Sequence, residues 1–267
     1  MSDVATKTIK AAQSGDAQAL ENLVRAVQDQ VHRLALRMLA DPVAAQDAAQ
    51  EILIRIVTKL STFKGEARFE TWVHRVATNA LLTTRKVIAA DPGLSFEMFS
   101  DDLLSGLADD AAQAPEDHVM LNELRLRCTM AMLLCLDREH RAAYVLGEVL
   151  EFEQGEAAQI LEITPQNFRK RLSRARQSVQ AFTAKTCGLA SSSAPCTCRK
   201  RLPAALAMGR LAGAPIVDAP AFADVKAEAE RTAAHLVAAK LQRATGPLAA
   251  PGDQARAVLR LVTPPEP

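Results

Sequence analysis

The chain has 267 residues, of which 49% are hydrophobic and 24% charged, a balance that is typical of globular proteins and excludes a fibrous one. Aromatic residues make up only 4%, so the cores must be built from Ala, Leu, Val and Ile, and this favours helices. Because no run of eighteen apolar residues and no apolar N-terminal signal is present, we expect a cytoplasmic protein without membrane insertion.

Charge is distributed unevenly along the chain, although the formal net charge is only +1. Residues 91–118 carry eight acidic side chains and no basic one, whereas residues 165–201 carry nine basic side chains and no acidic one. This pattern predicts a polyanionic partner for the basic segment and an acidic spacer that stays away from that partner.

The first ninety residues predict three helices, near 16–39, 43–60 and 70–88, because apolar residues recur there at helical spacing. The second of these helices has an apolar side and an opposite polar side that carries Asp47, Gln50 and Glu51. A polar stretch at 61–68 separates it from the third helix.

The acidic stretch 91–118 is predicted to be a flexible linker whose short apolar pieces can dock. Beyond it, helical spacing resumes at 119–136, 138–150, 153–162 and 165–182. After residue 185 the chain becomes rich in proline, with Ala-rich segments near 203–212 and 220–243. The sequence therefore predicts two helical domains, a linker and a partly helical C-terminal extension.

A helix-turn-helix is predicted at 153–182, the most informative local pattern of the sequence. Thr164 is placed as the N-cap of the second helix and Pro165 as its first residue, where the missing N–H has no cost. Phe168 begins a buried stripe, and the opposite face is polar and cationic. Such a helix suits the major groove of DNA, although a solvated cationic helix is the alternative. The predicted DNA-binding residues are Thr164, Gln166, Asn167, Arg169, Lys170, Ser173 and Arg174.

The N-terminal half carries a series of short motifs: Asp47-x-x-Gln50-Glu51, Phe63-Lys64-Gly65, Phe69-x-Thr71-Trp72, Val76-Ala77-x-Asn79 and Arg85-Lys86. Together they resemble region 2 of bacterial sigma factors, in the extracytoplasmic-function (ECF) group of the sigma-70 family. Residues 136–182 resemble region 4 of the same family. The resemblance covers about residues 15–88 and 119–183, in the family's order. Thr83-Thr84 depart from it, since the family more often has Asp and Arg-rich sequence there.

The resemblance implies an all-α fold with a region 2 bundle (1–90), an acidic linker (91–118), a region 4 helix-turn-helix (119–184) and an extension (185–267). It implies that region 2 docks on the β′ clamp helices of core RNA polymerase, and that region 4 meets the β flap and reads the minus-thirty-five element. The implied polymerase-binding residues are Asp47, Gln50, Glu51 and Arg55.

Region 2 also recognises and melts the minus-ten element in this family. Melting removes bases from the stack, and aromatic, amide and cationic side chains can offset that cost. For Trp72, core packing is almost as good an interpretation as DNA contact, and the two are compatible. The implied DNA-binding residues of region 2 are Lys64, Phe69, Trp72, Arg75, Asn79 and Lys86.

The predicted function is therefore that of a sigma factor, which binds core RNA polymerase, directs it to promoter DNA and assists melting. An anti-sigma protein is a further partner that the resemblance allows. The alternatives are a stand-alone helix-turn-helix regulator and a metal- or thiol-responsive sensor. No enzyme is predicted, because HExxH, GxSxG, P-loop and paired-acid patterns are missing.

The five cysteines divide into two groups. Cys128 and Cys135 lie on an apolar helical stripe and are predicted to pack in a core. Cys187, Cys196 and Cys198 lie in a basic segment, where nearby cations are expected to lower thiol pKa values and favour zinc binding or redox chemistry. No fourth ligand is evident nearby, and an unstructured basic tail is the alternative. No other cofactor is predicted.

Overall fold

The computed structural model describes residues 6–84, 91, 93–108, 118–211, 222–232, 234–244 and 249–262. Within these ranges the regular elements are helical, apart from one isolated bridge between Cys187 and Cys196. The predicted all-α fold class is thereby confirmed. No helix in these ranges has the length and apolar character that crossing a membrane requires.

Besides α-helices, the described residues include a 3-10 turn at Leu60–Thr62 and a π-helical segment at Val145–Val149. The helices are α1 (Thr6–Gln13), α2 (Ala17–Leu39), α3 (Pro42–Thr58), α4 (Phe69–Thr83), α5 (Phe96–Leu104), α6 (His118–Leu134), α7 (Arg138–Tyr144), α8 (Gln154–Ile160), α9 (Pro165–Thr186), α10 (Cys198–Ala207), α11 (Phe222–Arg231), α12 (Ala234–Arg243) and α13 (Gln254–Val262).

The first of two compact units comprises residues 1–91, 153–168 and 249–267. Its helices α2, α3 and α4 pack on one another around buried aliphatic side chains. Asp16 and Asp41 cap α2 and α3 by accepting hydrogen bonds from the backbone N–H groups of Ala19 (2.9 Å) and Ala44 (2.7 Å). The three helices predicted in this part of the chain are present, and α1 is an additional short helix.

Helices α8 and α13 complete the first unit. Helix α8 packs on α4, and α13 packs on α2 and α3. Ala255 and Val258 of α13 are fully buried, and Asp253 forms an ion pair with Arg25 of α2 (2.8 Å). The C-terminal extension therefore contributes a helix to the fold of this unit.

The second unit comprises residues 92–152 and 169–248, with α6 packed against α10, α11 and α12. One buried cluster joins Leu121 and Leu124 of α6 to Leu202 of α10 and Phe222 of α11. The segment that contains Cys187, Cys196 and Cys198 is folded into this unit. The alternative of an unstructured tail is wrong for this segment, because its apolar neighbours bury it.

Helix α5 lies within the stretch that the sequence predicts to be a linker. Ser95 caps it by accepting a hydrogen bond from the backbone N–H of Met98 (3.1 Å), and Phe99 and Leu103, four residues apart, are buried. Phe99 stacks on Phe182 with 5.5 Å between ring centroids. The apolar part of the acidic stretch is therefore docked, because an amphipathic turn can bury its two large side chains.

Candidate nucleic-acid interface

Helix α9 presents the predicted DNA-reading face to solvent. Thr164 accepts a hydrogen bond from the backbone N–H of Asn167 (3.2 Å), so it caps the helix as predicted, and Pro165 is the first helical residue. Phe168, Leu172, Ala175 and Val179 are buried along one stripe. The candidate residues Thr164, Gln166, Asn167, Arg169, Lys170, Ser173 and Arg174 are all exposed.

The cationic side chains of α9 fall into two groups. Arg171 forms an ion pair with Glu139 (2.6 Å), and Arg176 pairs with the mostly buried Glu148. Arg169, Lys170 and Arg174 are exposed and form no ion pair with any of the described residues. The first pair of arginines is thus engaged in the fold, whereas the other three cations are available to bind phosphate groups.

An open cleft of about 460 Å³ lies beside the N-terminal half of α4. Phe63 and Trp72 form its aromatic wall, with ring centroids 5.6 Å apart, and Phe69 stacks on Trp72 at 5.6 Å. Lys64 and Arg75 line the same cleft. Phe69 and Trp72 are almost completely buried, so these two rings support the wall, and Phe63 is the more accessible ring.

Two side chains of α4 donate hydrogen bonds to carboxylate groups of the helix-turn-helix. Thr71 donates a hydrogen bond to Glu156 (2.6 Å), and the side-chain amide of Asn79 donates to Glu162 (2.9 Å). Arg68 lies 3.8 Å from Glu156. In this conformation, two acidic side chains occupy the α4 face on which the sequence predicts a DNA contact.

The polar face of α3 carries the four residues predicted to bind polymerase. Asp47 and Glu51 are exposed, and Gln50 and Arg55 are half-buried. The opposite face of α3 is buried at Ala45, Ala49, Ile52, Leu53 and Ile56. Lys86, the last predicted contact of region 2, lies outside the described residues.

Two family models match this chain, one to each half of the predicted pattern. Residues 23–86 match Sigma-70 region 2, and residues 126–179 match Sigma-70, region 4. These two matches support a sigma-70 family factor. The resemblance of the two halves, in this order, is thereby confirmed.

Relatives of this sigma factor place it in the ECF group. The ECF RNA polymerase sigma factor SigW of Bacillus subtilis is 29% identical over 176 residues, which are 65% of this chain and 94% of SigW. SigE of Mycolicibacterium smegmatis is 29% identical over 188 residues, 69% of this chain and 70% of SigE. The ECF sigma-E factor of Escherichia coli is 27% identical over 176 residues, 64% of this chain and 90% of its own.

Two solved structures also resemble this sigma factor. CnrH, in complex with the cytosolic domain of CnrY, is 20% identical with a TM-score of 0.48, and the match covers 67% of this chain and 97% of CnrH. The sigma factor RpoE of Bartonella quintana, in complex with the anti-sigma factor NepR, is 19% identical with a TM-score of 0.42. This match covers 59% of this chain and 91% of RpoE.

The structure brings the three candidate metal-binding cysteines of this sigma factor together, but it corrects their predicted electrostatics. Cys187, Cys196 and Cys198 line one cavity. Burial raises the pKa of Cys196 to about 11, and it also raises the pKa values of Cys187 and Cys198. The expected lowering of thiol pKa values by cations is wrong, because burial outweighs the effect of Arg201 on Cys196.

Sequence reasoning missed three residues of these sites. Glu156 and Glu162 of the helix-turn-helix contact α4, and Cys128 lines the cavity of the three other cysteines. All three lie more than fifty residues from their partners along the chain. No local spacing pattern could reveal such contacts.

Proposed function

We propose that this sigma factor docks on core RNA polymerase through α3, melts promoter DNA at the cleft beside α4 and reads upstream DNA with α9. Its role as a sigma factor, directing RNA polymerase to promoters, follows from its family. The assignment of residues to the three tasks is the proposal. One observation carries it: a single chain combines an open cleft with an aromatic wall and a capped helix on which Arg169, Lys170 and Arg174 are exposed and unpaired within the described residues.

Melting is assigned to the cleft because an unstacked base needs a surface that replaces its neighbours. Base–aromatic stacking contributes about 1–3 kcal/mol per base, and Phe63 is the accessible ring of the wall. Lys64 and Arg75 place positive charge beside it, where they can hold the displaced strand's phosphates. Phe69 and Trp72 act indirectly, since they are buried and keep Phe63 in position.

Upstream recognition is assigned to the first turns of α9. Gln166 and Asn167 are exposed at the helix start, where amide side chains can hydrogen-bond to base edges in the major groove. Arg169, Lys170 and Arg174 flank them and suit phosphate groups. Helix-turn-helix proteins use the N-terminal residues of the second helix in this way.

Polymerase docking is assigned to Asp47, Gln50, Glu51 and Arg55, the polar face of α3. The chemistry of transcription then belongs to the polymerase, which agrees with membership in a family that is not an enzyme family. A protein with these partners works beside the chromosome, so we place it in the cytoplasm. An anti-sigma protein is a further partner to be sought.

A stand-alone regulator is not favoured, because such a protein has no use for the region 2 match at residues 23–86. The two functions differ in their dependence on polymerase. A sigma factor co-purifies with core enzyme and selects promoters only in its presence, whereas a stand-alone regulator binds duplex operators by itself.

The test combines co-purification of the full chain with core polymerase and permanganate footprinting on a promoter that the holoenzyme transcribes. We expect Asn79→Ala to leave promoter binding by the holoenzyme unchanged and to reduce the open fraction by about two- to ten-fold, which is the effect of losing one hydrogen bond. Permanganate detects the open fraction directly, because it oxidises unpaired thymines.

Asn22→Ala is the matched control, since Asn22 is an exposed asparagine on α2 and is expected to leave both measurements unchanged. Failure of the wild-type chain to bind core polymerase would overturn the proposed function as a whole. Normal melting by the Asn79→Ala holoenzyme would overturn only the role of Asn79 in melting.

A further inference from the structure

Four of the five cysteines line one small cavity in the second unit. The cavity has a volume of about 50 Å³, and its wall includes Cys128, Cys187, Cys196 and Cys198. The isolated bridge joins the backbones of Cys187 and Cys196, and the backbone N–H of Gly188 donates to the carbonyl of Cys196 (2.8 Å). All four are free thiols. The cavity therefore has sulfur donors on several sides.

These cysteines come from three separate parts of the fold. Cys128 lies on α6, Cys187 directly follows the last residue of α9, and Cys198 is the first residue of α10. Cys196 precedes α10 by two residues. Segment 187–198 has only three cysteines, and the fold adds Cys128 of α6 as the fourth.

A buried positive charge stands beside the thiols. Arg125 is 1% exposed, and it donates hydrogen bonds of 2.7–3.0 Å to the Asn122 side chain and to the carbonyls of Leu241 and Ala244. These acceptors are all neutral, and no carboxylate among the described residues forms an ion pair with Arg125. A buried guanidinium without a counter-charge is costly, so negative charge in the adjoining cavity would stabilise this arrangement.

We propose that Cys128, Cys187, Cys196 and Cys198 bind one Zn²⁺ ion through four thiolates. Each thiol loses its proton to solvent as its S–Zn bond forms, and no electron is transferred. The ion with four thiolates carries a net charge of −2, and the charge of Arg125 offsets one unit of it. Zinc takes four thiolates in a tetrahedron with Zn–S distances of about 2.3 Å.

Formation of this site requires the four sulfur atoms to move closer to one another. In the described conformation, no three His, Cys, Asp or Glu side chains of the described residues are arranged to hold a metal ion. A cysteine has one side-chain torsion with three staggered positions, so its sulfur moves without a change of backbone. The cavity is larger than the space that a single small ion or water needs.

A disulfide is the competing use of these cysteines, and the buried charge of Arg125 disfavours it. A bond between Cys187 and Cys196 would engage only the two bridged residues and would leave Arg125 without a counter-charge. The zinc site uses all four thiols and also fixes the C-terminal end of α9 to α6 and α10. The zinc site lies at the C-terminal end of α9, whereas the proposed promoter contacts lie at its N-terminal end. The zinc site is therefore separate from the proposed function in promoter recognition.

The experiment titrates the full chain with Co²⁺ after purification under reducing conditions and removal of metal by a chelator. We expect one Co²⁺ per chain, with the absorption bands of tetrahedral thiolate coordination, and its displacement by Zn²⁺. X-ray absorption of the zinc-loaded wild-type chain should give four sulfur neighbours at about 2.3 Å. This second measurement uses no variant and therefore does not depend on how a variant folds.

Cys128→Ser is the decisive variant, because Cys128 is the ligand that only the fold supplies. We expect its Co²⁺ affinity to fall by at least about 100-fold, the upper end of what loss of an outer-shell partner costs. Cys135→Ser is the matched control. Cys135 directly follows α6 and does not line the cavity, so this variant should bind Co²⁺ as the wild type does. A Cys187–Cys196 disulfide without bound metal, oxygen or nitrogen in the zinc shell, or full affinity in Cys128→Ser would overturn the proposal.

Discussion

At the scale of single residues, the exposed cations of α9 differ from the paired ones in what their removal should do. Lys170 forms no ion pair within the described part of the chain, whereas Arg171 is tied to Glu139. The loss of Lys170 should therefore leave the fold intact and remove one phosphate contact. The same change at Arg171 would also remove an ion pair of the fold, which makes it a poor probe of DNA binding.

Lys170→Ala should weaken upstream promoter binding by the holoenzyme and lower the slope of log affinity against log salt by about 1. Gel-shift titrations of a duplex upstream fragment at several salt concentrations measure both quantities. Lys185→Ala is the control, because Lys185 is exposed in the last turn of the same helix. An equal salt slope in Lys170→Ala and wild type would contradict the phosphate contact.

The sequence predicts single residues well where the information is local. Thr164 as a cap and the Phe168 stripe depend on helical spacing within one segment, and both are as predicted. The prediction of lowered thiol pKa values is wrong, because burial has a larger effect on them than the nearby cations. Burial depends on packing against distant helices, and no local pattern contains it.

At the scale of helices, two side chains of α4 form hydrogen bonds with carboxylates of the helix-turn-helix. Glu162 accepts a hydrogen bond from Asn79, and Glu156 accepts one from Thr71. A nucleic acid that uses the Asn79 amide must displace Glu162 and overcome the repulsion from its carboxylate. The free chain should therefore bind single-stranded minus-ten DNA less tightly than it would without the Glu162 carboxylate.

Glu162→Ala should raise the affinity of the free chain for a single-stranded minus-ten oligonucleotide by about two- to ten-fold, since one hydrogen bond contributes about 0.5–1.5 kcal/mol. Fluorescence anisotropy with a labelled oligonucleotide measures this affinity. Glu153→Ala, an exposed acidic residue that precedes α8 and makes no side-chain capping bond, should leave it unchanged. Unchanged or weaker binding by Glu162→Ala would show that this contact does not compete with DNA.

Helices differ in how far the sequence predicts them. Helices α2, α3 and α9 were predictable because each is long and has a strong apolar stripe. Helices α1, α5 and α13 have only eight or nine residues, and isolated helices of that length are unstable in water. Their helical state depends on tertiary packing, which the sequence pattern does not reveal.

At the scale of the whole molecule, compact units and chain segments do not coincide. The first unit comprises residues 1–91, 153–168 and 249–267, so segments that are distant in sequence pack together in it. The domain borders at residues 90, 118 and 184 describe the family's regions and remain a prediction. The predicted polymerase-binding helix α3 is one of the helices on which α13 packs, so a change in α13 is expected to affect polymerase binding.

Val258→Asp should therefore destabilise the unit that carries α3, although Val258 lies far from the region 2 match in sequence. The side chain is fully buried between helices, and burying an unpaired carboxylate there costs about 3 kcal/mol or more. Leu261→Asp on the same helix is the control, because Leu261 is 64% exposed. Thermal denaturation followed by circular dichroism should show the loss only in Val258→Asp, with weaker co-purification of core polymerase. Equal melting of both variants and wild type would mean that α13 contributes nothing to the stability of this unit.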